Sequence, residues 1–525
     1  MKRRDFLKHS SNAVVIPSLI GGFGIKAFSH SKIVNALNLP TDTDHVVVMI
    51  YLAGGNDGLN TVVPMDSYDK LSNVRPHVII PENRLLNLNG HDLALHPSLS
   101  GFKSLFDEER LHIIQNVGYE DQSFSHFRST DIWMSGSDRN EIVNTGLHGR
   151  YLNYEYPNYP QEYPNEIMPD PLAIELGYGS SLLFQGPSAN MGMVISDPTD
   201  FYNLVNNEEE EAPDTNAGKK LSYIRLIARQ SQVYGEAVKS AAENINQQGN
   251  YPANNYLADQ LKIVSRLIAG GLKTRLYMVQ LNGFDTHDNQ VNSNDHTQGE
   301  HANLLKMLDD AVMAFMNDAE GLGIDNRIIG MTFSEFGRRI VSNASNGTDH
   351  GASAPLFLFG NGVQGGVVGE NPTIPSNATY QDNLEWKVDF RSVYSAVFDQ
   401  WLCVDDAELS NVMLKDFDSQ QVIKDGFACI STSVHEEHLN AGKSYIKIYP
   451  SPFRDQVSFE FESIGTDLQI QMIDTAGRIV AVPIRGRYPQ GTHLVEWNGS
   501  QLIAGNYFVR FMSEGVVQTK GVVKL

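Results

Sequence analysis

The chain has 525 residues, 62 of them acidic and 40 basic, for a net charge of −22. Such a surface repels nucleic acid and anionic membranes, which need a basic footprint. An anionic substrate would therefore depend on local positive charge, for which bound metal ions are the usual source. Two cysteines, Cys403 and Cys429, exclude a disulfide scaffold and a multi-cysteine zinc site. They leave open one bridge or two free thiols.

In chain order, residues 1–30 read as a signal peptide: a basic start, a modest apolar stretch broken by Pro17, and small residues near Ala27 and Ser29. Arg3-Arg4-Asp5-Phe6-Leu7-Lys8 resembles a twin-arginine signal, and a Sec-type signal with two arginines is the alternative. Apolar, β-branched runs follow at His45 to Ala53, Leu111 to Val117, Thr274 to Leu281, Arg327 to Phe333 and Pro355 to Phe359. Continuous runs of this kind predict parallel strands buried on both faces. Three- and four-residue spacing predicts helices over 220–246, 255–268, 301–315 and 390–402. The expected fold is an α/β domain over 44–430, with a doubly wound, mostly parallel sheet. The Tyr-, Pro- and Glu-rich stretch 151–216 is expected to be an insertion or lid, and 431–443 a polar linker. Short alternating strands from 444 to 525 predict an antiparallel β-sandwich.

In open α/β sheets ligands bind at the carboxyl ends of the strands. The first run is followed by Gly54-Gly55-Asn56-Asp57-Gly58 and the second by Ser123-Phe124-Ser125-His126. The third leads to Asp285-Thr286-His287, and the fourth to Ser334-Glu335-Phe336-Gly337-Arg338 and then Asp349-His350. Each motif alone is weak, since Gly-Gly-Asn-Asp-Gly is also a tight turn. Together they put carboxylates, imidazoles and hydroxyls at one edge. Mixed Asp and His ligands suit zinc, manganese or iron better than calcium.

These motifs, in this order over about residues 45–405, resemble the domain of unknown function 1501 family, a relative of the alkaline phosphatase and sulfatase superfamily. The resemblance implies a two-metal site with zinc or manganese. Asp57, with Asn56 beside it, would hold one ion, Asp285 and His287 the other, and Asp349 and His350 would be shared. Ser125, or else Ser123, would be the nucleophile, and Arg128 or Arg338 would bind the remaining ester oxygens. The superfamily's distal metal-binding histidine has no counterpart here, so His301 is the substitute candidate. Glu335 is expected as a ligand or a supporting carboxylate, and His96 and His126 as structural or supporting groups. The implied activity is hydrolysis of a small anionic ester or a phosphorylated or sulfated glycan; the alternative is a non-catalytic surface binding protein. Separately, Tyr449-Pro450-Ser451-Pro452-Phe453, Asp474-Thr475-Ala476-Gly477-Arg478 and Gly505-Asn506-Tyr507 resemble the type A sorting domain of type IX secretion. That implies the export and type IX secretion machinery as partners and delivery to the cell surface or outside.

Overall fold

The computed structural model describes residues 43–177, 180–195, 233–245, 248–429, 446–463, 465, 467–474, 478–513 and 516–525. The expected signal peptide, the linker and the acidic run Glu208 to Glu211 lie outside them. The chain divides into two compact units between residues 431 and 432. Among the described residues no helix is long and apolar enough to cross a membrane.

In chain order the first unit runs β1 (Val46–Ala53), α1 (Ser100–Asp107), β2 (Leu111–Gly118), α2 (His126–Ser135), α3 (Leu147–Glu155), β3 (Ala173–Glu175) and β4 (Gly192–Val194). It continues through α4 (Tyr256–Ala269), β5 (Leu276–Asn282), α5 (Glu300–Gly321), β6 (Ile328–Phe333), β7 (Arg338–Ser342) and β8 (Thr348–His350). Then come β9 (Ala354–Phe359), β10 (Gly366–Val368), β11 (Val388–Asp389), α6 (Phe390–Gln400) and a last helix, α7 (Asp406–Met413). Nine strands form the main sheet in the order β10-β2-β9-β6-β1-β5-β3-β4, with β11 beside β2.

Strand β1 is the centre, paired in parallel with β5 and β6. Its side chains alternate between two cores, as the period of two requires. Val46, Val48, Ile50 and Leu52 pack with residues of α1, α4 and α5, among them Phe102, Leu261 and Phe315. Val47, Met49 and Tyr51 pack with residues of α2, α3 and α6, among them Trp133, Tyr151 and Phe398. Helices thus cover both faces, and the sheet is doubly wound.

Two details depart from expectation. The run Pro355 to Phe359 lies in β9, which is antiparallel to both β2 and β6 rather than parallel. After β6 the chain makes the short β7–β8 hairpin and re-enters the sheet from the end it has just left. Without a crossover helix it must run backwards. Within the stretch 151–216, strands β3 and β4 extend the main sheet, with β3 in parallel beside β5. At three residues each they are too short for a periodic signal. The 220–246 helix lies partly outside the described residues, and 233–244 are helical.

The second unit has a three-stranded sheet (446–449, 456–463, 491–498) and a four-stranded sheet (479–487, 467–474, 505–513, 516–524), antiparallel throughout. Val457, Phe459 and Phe461 from the first meet Ile470, Met472, Val509 and Phe511 from the second in one core. In the Asp474 to Arg478 motif, the Arg478 amide and guanidinium both donate to the Asp474 carboxylate.

Cys403 and Cys429 form a disulfide, with Cα atoms 5.4 Å apart. It joins positions 26 residues apart. Replacing both cysteines by serine should lower the unfolding free energy by about 2–4 kcal/mol. Denaturant unfolding extrapolated to water would measure this, with a steeper slope expected because the uncrosslinked unfolded chain exposes more surface.

Candidate metal centre

Because β1, β2, β5 and β6 point the same way, the loops that follow them share one edge of the sheet. Gly54 makes this close approach possible. Its φ is +123°, and a Cβ there would lie 2.3 Å from the Asp285 amide nitrogen. Arg338 stitches the loops together. Its fully buried guanidinium donates to the carbonyls of Gly54, Gly55, Phe284 and Thr348 and, at 2.7 Å, to Asp285 Oδ1. Glu335, also buried, accepts from the Gly54 amide at 2.9 Å.

On this base sit three histidines around the Asp285 carboxylate. His126 Nδ1 lies 2.8 Å from Glu335 Oε1 and its Nε2 lies 3.5 Å from Asp285 Oδ2. His287 Nδ1 lies 3.0 Å from Asp349 Oδ1 and its Nε2 lies 3.1 Å from Asp285 Oδ1. His350 Nδ1 lies 2.8 Å from the Phe124 carbonyl and its Nε2 lies 3.2 Å from Asp285 Oδ1. A carbonyl accepts only, so His350 carries its proton on Nδ1. Glu335 favours the same tautomer in His126, while His287 has a carboxylate beside each nitrogen. The Nε2 atoms of all three rings face inward. A carboxylate or carbonyl behind a histidine is the usual support of a metal ligand. His126, Asp285 and His350 by themselves place ligand atoms within 4.8 Å of one another. The donor set of imidazole nitrogen and carboxylate oxygen suits zinc or manganese. The three rings are 23–43% exposed, so the cluster is open to solvent.

The electrostatics are consistent with a site built for a cation. Burial pushes the Asp285 carboxyl up, but the hydrogen bond and charge of Arg338 outweigh it and hold it below the usual range. For Asp349 the opposing groups are His287 and Asn343, with the same outcome. The hydrogen bond to Glu335 raises His126, and burial lowers His350.

The remaining expected residues sit elsewhere. Asp57 is fully buried and ion-paired with Arg75, itself fully buried, and accepts from Gln290 Nε2 at 2.6 Å. Arg75 also donates to the carbonyls of Arg339 and Ile340. Asn56 Oδ1 lies 2.9 Å from Nε2 of the buried His301. Arg128, expected to bind ester oxygens, donates to the carbonyls of Asp138, Arg139 and Glu141 instead. Arg338 is likewise committed to protein oxygens. Ser125 is the exposed N-cap of α2, and its side chain makes no capping bond. It stands between Phe124, whose carbonyl holds His350, and His126. Ser123 is buried, and its Oγ accepts from the Ser125 amide at 3.3 Å. Sequence reasoning set His126 apart from the ligands, although it opens a helix at the shared edge. Nothing local to Arg75 or Gln290 marks their part in the site.

Removing Arg338 leaves several buried carbonyls unpaired, so Arg338→Met should cost about 3–5 kcal/mol of stability, read by denaturant unfolding. Burial lowers His96, His148 and His301 each to about 3. In the unfolded chain each binds a proton near pH 6.5, so stability is present above that pH and is lost as pH falls toward 3. Each of the three should contribute a slope of up to about 1.4 kcal/mol per pH unit in that window. Unfolding curves for His148→Phe and the parent, compared across it, test the slope.

Residues 205–397 match the family described as protein of unknown function (DUF1501). Asp285, His287, His301, Glu335, Arg338, Asp349 and His350 fall within that match, and Asp57 and His126 precede it. Residues 447–524 match the secretion system C-terminal sorting domain. No curated protein matches the chain. Among solved structures, it is similar to an alkaline phosphatase superfamily protein from Vibrio parahaemolyticus, at 8% identity and TM-score 0.32 over 90% of this chain and 79% of that one. It is also similar to the PsFucS1 sulfatase from Pseudoalteromonas sp., at 10% identity and TM-score 0.29 over 89% and 85%. A third is the alkaline phosphatase of the Antarctic bacterium TAB5, at 8% identity and TM-score 0.26 over 60% and 91%. The chain carries a DUF1501 region followed by a secretion-system sorting domain, and it is exported to the cell surface or beyond.

Proposed function

We propose that the protein is an exported, metal-dependent hydrolase of phosphate or sulfate esters, acting on a small anionic ester or an anionic glycan. The observation that carries this reading is the convergence of three Nε2 atoms on one carboxylate, with every Nδ1 tied down behind. His126, His287, His350 and Asp285 would hold a divalent cation. Such a cation supplies a Lewis acid that eases deprotonation of a nearby hydroxyl and screens the charge on ester oxygens. Glu335 and Asp349 support His126 and His287 from behind, at Nδ1. Ser125, at the start of a ten-residue helix, is the attacking hydroxyl. The first-turn amides of α2 favour the anionic group that it attacks. With Arg128 and Arg338 engaged elsewhere, Arg339 takes over the anion-binding role. Its guanidinium lies 5.4 Å from the centre of the Phe124 ring, on the same rim.

One observation favours the second reading, a non-catalytic surface binding protein: both arginines expected to clamp the ester donate to protein oxygens. Turnover decides between them. With zinc or manganese loaded, the protein should cleave an aryl phosphate or aryl sulfate. Ser125→Ala should lose on the order of 10³-fold in kcat while keeping its metal. A loaded parent protein that cleaves neither ester would leave the binding reading standing.

A further inference from the structure

The superfamily resemblance implies two metal ions, the second at Asp57. Granting the metal-centred reading above, we infer that the centre takes one divalent cation, held by His126, His287, His350 and Asp285. The buried guanidiniums of Arg75 and Arg338 provide the positive charge that a second ion would bring to Asp57.

The first half rests on two facing imidazoles. His287 Nε2 and His350 Nε2 are 2.9 Å apart. His350 donates its Nδ1 proton to the Phe124 carbonyl, and His287 has a carboxylate at each nitrogen, Asp349 at Nδ1 and Asp285 at Nε2. With both protons on Nδ1, two lone pairs meet at that distance, and a cation against them relieves the repulsion. Asp285 and His126 add a negative charge and a third inward nitrogen at the same place. The cluster is also reachable from solvent, as an exchangeable ion requires.

The second half rests on how the groups at Asp57 are occupied. Its Oδ2 already pairs with Arg75, and both side chains are wholly buried. A divalent ion there would stand against a fixed guanidinium, with no water to screen the repulsion. Asp349, expected to be shared between two ions, accepts instead from His287 and from Asn343 Nδ2 at 3.3 Å. His301, expected as the substitute ligand, faces Asn56 Oδ1 with its Nε2. The buried polar atoms left unpartnered in this set are Asp57 Oδ1, His301 Nδ1, Asn56 Nδ2 and Arg75 Nε. Two of the four are donors, which repel a cation. Arg338, donating to Asp285 Oδ1 and to the Gly55 carbonyl, sets a second fixed charge between the exposed cluster and the turn that carries Asp57.

The test is a count of tight zinc sites in the metal-stripped, full-length protein, by Zn²⁺ titration against a chelator with elemental analysis of the complex. One equivalent is expected. His126→Ala, a change at a half-exposed position, should weaken that equivalent by at least about 10²-fold, beyond what loss of a supporting group costs. The double variant Asp57→Asn/Arg75→Gln, which removes the buried pair together, should keep it within about threefold. Two tight equivalents in the parent overturn the inference and leave the metal-centred reading intact. So does full affinity in His126→Ala, or loss of the ion from the double variant. No tight zinc at all overturns both. Should the double variant not fold, the parent count and the His126→Ala affinity still decide.

Discussion

Strand β1 fixes the position of almost everything else. It is paired on both edges, by β5 and β6, and buried on both faces, so its direction and register admit no slip. A shift of one residue would exchange the side chains of two cores and place Tyr51 where Ile50 now packs. Because β5 and β6 are held parallel to it, the loops at 54–58, 283–287 and 334–338 emerge side by side. The chemistry at that edge follows from strand pairing.

The site has two layers of opposite character. Below, Arg338, Glu335, Arg75 and Asp57 are buried: Arg75 pairs with Asp57, and Arg338 and Glu335 reach up to Asp285 and His126. Above, Asp285, His287, Asp349, His126 and His350 face solvent and are only partly satisfied. A buried ion pair loses much of its attraction to desolvation, so its presence argues more for fixing geometry than for stability. Here the lower layer holds the loops so that the upper one presents its nitrogens together. In a chain of net charge −22, a cation at that edge also creates a local field that the rest of the surface opposes.

The main strands were legible because runs such as Val46 to Ala53 are apolar without interruption. The motif carrying Asp285 and His287 was placed at this edge because it directly follows such a run, and Asp349-His350 because it comes shortly after the run that ends at Phe333. The direction of β9 was not, since it depends on a hairpin between β6 and β9 and not on the content of the strand. Asp57 shared the pattern of the others, but its environment is set by Arg75, which lies 18 positions further on and whose role depends on tertiary contact. Arg338 was visible in its motif; that its guanidinium would face inward to backbone carbonyls was not, because burial of a charged side chain has no local sequence signal. His126 was expected as a structural or supporting group; its place at a helix start puts it on the same rim as the other histidines.

The disulfide between Cys403 and Cys429 has a mechanical meaning for a chain exported with a tag at its C-terminus. Tension applied beyond residue 430 reaches Cys429 and crosses the sulfur bridge to Cys403, just past the end of α6. Residues 404–428, which include the helix Asp406–Met413 and bury Val412, Met413, Val422 and Ile423 in the core, are bypassed by that covalent path. Peeling from this end would therefore have to begin at α6, whose inward face is locked against the sheet by Phe390, Tyr394 and Phe398.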